Sequence, residues 1–160
     1  MNTSRFAPVA FAALACSAVA PVHAAPVAEI TSRVFGIDKS QTLELDKTRR
    51  YILISTDEIV VTDGLEDGHP LKNLSGTCAG WLEVVGGAYK GGGHCVYSNP
   101  QGGKWLLSWD TAADGQGGGY RLAGTEGNAT GWKGAGRWGQ NIDFPRGRYV
   151  QTWSGSIERP

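Results

Sequence analysis

From Asp63 onward the sequence is cut at intervals of roughly ten residues by Asp-Gly, Gly-Gly and Asn-Pro steps, with short segments of Trp, Tyr, Val, Leu and Thr between them. Segments of that length suit single strands and leave no room for helices of ordinary size. Of 24 glycines, 23 lie between Gly64 and Gly155, and all six tryptophans lie at or beyond Trp81. The glycines follow no three-residue period, which excludes collagen. Helical periodicity is absent, so the fold class is all-β, a sandwich or a barrel.

Eight strands are expected: Arg49 to Thr56, Glu58 to Thr62, Leu74 to Val85, Ala88 to Tyr97, Lys104 to Asp110, Gly119 to Gly124, Thr130 to Trp138 and Arg148 to Ile157. An even-numbered antiparallel meander can close and hide its edges, so a single closed eight-stranded antiparallel barrel, lipocalin-like in size, is predicted over residues 49–160. Residues 25–48 read as an N-terminal leader with little regular structure. Asp63 to Lys72, holding two Gly, two Asp and a Pro, is the longest internal loop and a candidate barrel mouth.

Residues 1–24 read as a signal peptide: Arg5 precedes an alanine-rich apolar run, and Val22-His23-Ala24 supplies small residues at −3 and −1 for cleavage after Ala24. The run is shorter than the roughly 20 strongly apolar residues of a membrane span, so no transmembrane segment is expected. Ala13-Leu14-Ala15-Cys16 offers lipidation at Cys16 as a less favoured alternative. The destination is secreted or periplasmic. With 15 Lys+Arg against 15 Asp+Glu, the net charge of zero gives no electrostatic footprint for a nucleic-acid partner.

After the signal only Cys78 and Cys95 remain, and an oxidising compartment should join them. If Gly86-Gly87 is a two-residue turn pairing Val85 with Ala88, seven residues back along each strand sets Cys78 opposite Cys95 at a close, non-hydrogen-bonded pair. The same register sets Glu83 against Lys90. A longer loop through Gly91-Gly92-Gly93 would instead shift the register or form a bulge. The cysteines and histidines lack CxxC or HxxxH spacing, so no metal is expected.

Alternation gathers aromatics on single strand faces: Trp105, Leu107 and Trp109; Trp132, Gly134, Gly136 and Trp138; Tyr149, Gln151, Trp153 and Ile157. Turned inward, they form either a packed core or an aromatic pocket for a flat or apolar small molecule, with Gln151 among the few polar groups able to orient it. Trp105, Trp109, Trp132, Trp138, Tyr149, Gln151 and Trp153 are therefore the candidate ligand contacts. His94 shares a face with Trp81, Glu83 and Lys90, and that face is expected to be exposed. No GxSxG, HExxH, P-loop or Rossmann pattern sits in its required context, so no catalytic residue and no cofactor is assigned.

The segment from Gly124 to Trp138 resembles the GTGKYxGxxGxGxW-type stretch of the allene oxide cyclase and dirigent-like barrels, and Cys78-Ala-Gly80, Gly93-His-Cys95 and Trp153-Ser-Gly155 resemble their secreted bacterial members. The likeness spans residues 73–155 and departs at Glu126-Gly127-Asn128-Ala129, where the pattern has glycine then Lys-Tyr or Lys-Phe. It implies an eight-stranded barrel with a hydrophobic cavity; the plant enzymes' carboxylate and asparagine match no position here. Binding of a small apolar or aromatic molecule is the leading function, and a cyclase or isomerase with a carboxylate or amide inside a deep cavity is the alternative. An inhibitor, adhesion or structural envelope protein would have a filled barrel instead.

Overall fold

The computed structural model describes residues 27–160, so the signal segment, its cleavage site after Ala24 and Cys16 lie outside the described residues. The strands are β1 (Val27–Asp38), β2 (Gln41–Glu44), β3 (Arg49–Thr62), β4 (Leu74–Val85), β5 (Ala88–Ser98), β6 (Lys104–Asp110), β7 (Gly117–Glu126), β8 (Lys133–Gly139), β9 (Ile142–Phe144) and β10 (Arg148–Glu158). Eight of them, β1, β3 to β8 and β10, form a closed antiparallel barrel. Closure comes from β1, which pairs with β10 on one side and β3 on the other. The two extra strands are short flaps, β2 on β3 and β9 on β10. Among the described residues no helix is long and apolar enough to cross a membrane.

The expected leader over residues 25–48 is thus corrected, because it contains the strand that closes the barrel. Its alternation is blurred chemically: buried Ser32 and Val34 face inward with Gly36, while Phe35 and Ile37 face outward. Ser32 is tolerated inside because its hydroxyl lies 2.7 Å from that of Thr62. The two strands expected on either side of Asp57 are one 14-residue strand. The Ser55-Thr56-Asp57-Glu58 run, where the two expected strands part, sends Thr56 and Glu58 inward and Asp57 outward to Lys39.

The loop from Asp63 to Lys72 is also corrected: it stoppers one end of the barrel. Leu71 is 2% exposed, and the carbonyl of Pro70 accepts from Trp105 Nε1 at 3.0 Å and from Asn99 Nδ2 at 2.8 Å. Asn99 also receives the backbone N–H groups of Gln101 and Gly103 and donates to Asn128, so the buried polar groups of this end are paired. His69 helps hold the stopper, since Leu71 N–H donates to its Nδ1 at 3.2 Å. Above it, Val34, Val60, Leu74, Tyr97, Trp105, Leu107 and Ile157 fill half the barrel.

The β4–β5 hairpin has the register expected from Gly86-Gly87, with Val85 opposite Ala88 and Cys78 opposite Cys95. The two cysteines form an inward-facing disulfide with a Cα separation of 3.9 Å. Glu83 does stand opposite Lys90, but its carboxylate binds Arg49 on β3 instead, with Nε at 2.8 Å.

The bridge closes a loop with a sequence separation of 17, so the Cys78→Ala, Cys95→Ala double variant should lose about 3 kcal/mol in urea unfolding; an unchanged midpoint would deny the bridge a stabilising role. Burial, with a smaller push from Arg159, holds His69 below its ordinary value of 6.5 against the opposing pull of Glu66. The folded chain then binds fewer protons than the unfolded one, so this contribution is complete above 6.5 and is lost as pH falls below it. His69→Asn should flatten the loss of stability between neutral and mildly acidic pH, measured by urea midpoints; equal slopes for variant and wild type would refute the assignment.

Candidate functional site

The strand registers place five residues side by side across the barrel wall: Tyr149, Gly36, Glu58, Gly76 and Tyr97. Neighbouring inward side chains in such a row compete for space. Here the two glycines supply it. A Cβ on Gly36 would run into the Tyr149 ring, and one on Gly76 would lie 2.7 Å from Tyr97 Cδ1. Each tyrosine therefore leans across a glycine toward the centre of the row, where its hydroxyl donates to the Glu58 carboxylate. Thr56 Oγ1 adds a third donor at 2.9 Å.

Glu58 is 9% exposed, and among the described residues it forms no ion pair. Burial first, and the neighbouring Glu58 charge second, push Tyr97 and Tyr149 well above the ordinary phenol range, so both remain donors. The disulfide lies beside this cluster, with Tyr97 Oη 3.2 Å from Cys78 Sγ. Ligand-type atoms of Glu58, Cys78 and Cys95 fall within 4.8 Å of one another, but the sulfurs are bonded to each other and offer no thiolate.

Glu58 and the disulfide border a cavity of about 150 Å³ in the unplugged half of the barrel. Its walls are Trp109, Tyr120, Trp138, Tyr149 and Trp153 with Leu107 and Leu82, and the exposed Asp38 and Asn141 bring it to the surface. Glycines again set the shape: Trp109 Cζ2 occupies the space above Gly80 and Gly93, and Tyr120 Oη that above Gly136 and Gly155. Trp109 and Trp138 meet edge to face with ring centroids 6.3 Å apart. Two polar groups near the cavity have unused hydrogen-bonding capacity, but only Glu58 borders the open space with it, since the Tyr120 hydroxyl has essentially no accessible surface. Tyr120 Oη is buried without a hydrogen-bond partner among the described residues, and burial together with Glu29 pushes its pKa up to about 12. The Glu58 carboxylate, with about four lone-pair positions, receives three donors.

Of the seven ligand contacts expected from sequence, Trp109, Trp138, Tyr149, Gln151 and Trp153 line this cavity. Trp105 and Trp132 do not. Trp105 is fully buried against the stopper, and Trp132 packs there edge-on to His69, with Arg159 over its ring. Gln151 is less available to a ligand than expected, because its amide accepts from Trp153 Nε1 at 2.6 Å and donates to Asn141 at 2.7 Å. His94 is exposed, as its face was expected to be. Sequence reasoning missed Glu58 and Tyr120; the isolated Gly36, standing alone before Gly64, was the available hint that something large folds over that point of β1.

Comparison with known proteins finds no matching family model and no curated protein that matches.

The row has a direct test. Gly36→Ala should displace Tyr149 and cost about 1–3 kcal/mol by overpacking, whereas Gly139→Ala, whose Cβ would meet only Thr152 O at 3.7 Å, should shift stability by no more than about 1 kcal/mol. Equal effects of the two substitutions in urea unfolding would show that Gly36 makes no room for a ring.

Proposed function

We propose that the open half of the barrel is a binding chamber for one small apolar or aromatic molecule. The observation that carries this reading is the aromatic-walled cavity of about 150 Å³, reaching the surface at Asp38 and Asn141. A space of that size accommodates a single ring and is too small for the full length of a fatty acid. The filled interior expected of an inhibitor or structural protein matches only the stoppered half. The reading also agrees with the resemblance to allene oxide cyclase and dirigent-like barrels, whose implied feature is a hydrophobic cavity.

One observation favours the cyclase or isomerase alternative as a second reading: a carboxylate, Glu58, borders the cavity. A carboxylate facing a bound substrate in a mostly apolar chamber is suited to proton transfer. Its distinguishing sign would be turnover lost in Glu58→Gln with binding retained. We also read the protein as extracytoplasmic, secreted or periplasmic, supported by the disulfide and by the signal-like residues 1–24.

A guest in this chamber must touch an indole, so binding is visible without a label. A panel of single-ring compounds, neutral, cationic and anionic, should contain members that saturably shift tryptophan emission and raise the melting temperature. Trp109→Phe should change the emission response while leaving the protein folded. A panel that moves neither signal would leave the aromatic wall as a loosely packed core and end the binding reading.

A further inference from the structure

We propose that the molecule bound in this chamber is a small organic cation, an ammonium ion carrying one aromatic or branched alkyl group. The inference rests on the binding reading above and assigns the ligand its charge. Its first support is the balance of charge around the cavity. The lining residues include two carboxylates, Glu58 and Asp38, and among the described residues no Lys, Arg or His. Glu58 is held by three neutral hydroxyl donors and, among the described residues, by no counter-ion. A carboxylate removed from water without an opposite charge is costly, and neutral hydrogen bonds offset only part of that cost. An ammonium group beside Glu58 supplies the missing charge.

The walls make the same selection independently. Trp109, Trp138, Trp153, Tyr120 and Tyr149 present aromatic surfaces to one small space, and the negative faces of such rings attract cations, most strongly when both are shielded from water. Glu58 supplies the acceptor: its carboxylate keeps one lone-pair position that no donor among the described residues occupies, able to receive an ammonium N–H. Asp38, exposed at the rim, adds negative potential where a cation enters.

Other ligand charges fit less well. An anion would meet two carboxylates and no cationic side chain. A hard metal ion needs several oxygen ligands around one point, whereas here the carboxylate oxygens are already engaged by hydroxyls and the remaining wall is largely rings. The cavity volume of about 150 Å³ limits the organic part to about one ring.

Three probes of nearly equal shape separate the possibilities on the intact protein: benzylammonium, benzyl alcohol and benzoate, titrated by calorimetry and tryptophan emission at neutral pH. Benzylammonium should bind at least about tenfold more tightly than benzyl alcohol, with benzoate weakest. Glu58→Gln should bring the ratio of benzylammonium to benzyl alcohol affinity down to about one, and Asp38→Asn should weaken the cation by a smaller factor. If Glu58→Gln does not fold, the ranking of the three probes on the wild-type protein decides alone. Benzyl alcohol binding as tightly as benzylammonium, or a preference surviving in Glu58→Gln, would overturn the assignment of charge and leave the chamber intact. Failure of all three probes to bind would remove the chamber reading, and this inference with it.

Discussion

An eight-stranded barrel encloses little more space than its own inward side chains fill, so several of the large rings placed inside lie over neighbours that have no side chain. That exchange of volume governs this interior. Tyr97 and Tyr149 fold over Gly76 and Gly36, Trp109 over Gly80 and Gly93, and Tyr120 over Gly136 and Gly155. Because cross-strand neighbours stand in fixed register, each glycine determines which way the adjacent ring leans. The leaning is also what brings two phenol hydroxyls to one carboxylate.

The barrel divides into halves with different polar economies. At the stoppered end, the Pro70 carbonyl, Trp105 N–H and Asn99 amide satisfy one another, and the aliphatic core packs against them. At the other end the indoles of Trp138 and Trp153 are tied to Asp110 O and Gln151, but among the described residues Tyr120 Oη has no partner and Glu58 no counter-ion. The disulfide sits at the boundary, joining β4 to β5 beside the Tyr97 hydroxyl. It fastens the strand that carries Tyr97 to a neighbour of the strand that carries Glu58, so the floor of the chamber is covalently braced.

What could be read from the sequence follows from which signals are local. The Gly86-Gly87 turn sets the register of its own hairpin, and that alone places Cys78 against Cys95. Alternation along β6 and β10 correctly turns Trp105, Trp109, Tyr149 and Trp153 inward. The expected number of barrel strands agrees with the structure although their membership differs: the expectation divides β3 at Asp57 and omits β1. Both errors have one cause. Inward polar residues, Ser32 on β1 and Thr56 and Glu58 on β3, erase the apolar-in, polar-out pattern wherever partners from distant strands satisfy them. Depth along the barrel is likewise non-local. Trp105 and Trp109 share one strand face, yet only Trp109 reaches the cavity, because the stopper comes from a loop more than 30 residues earlier in sequence.

Stability alone does not account for the Tyr-Gly-Glu-Gly-Tyr row. Replacing a buried ionic group by apolar residues of similar shape is often neutral or favourable, whereas removing one partner leaves the others unsatisfied. A row with phenylalanines around an aliphatic side chain would fill the same space above Gly36 and Gly76 without desolvating a carboxylate. The stoppered half shows that this protein can seal a barrel end with its polar groups mutually paired. The carboxylate stands instead at the border of the cavity, beside the disulfide and among rings, with a second acid, Asp38, at the rim. Its position, rather than its presence, ties the row to the proposed binding: Glu58, buried and without a counter-ion among the described residues, borders the cavity.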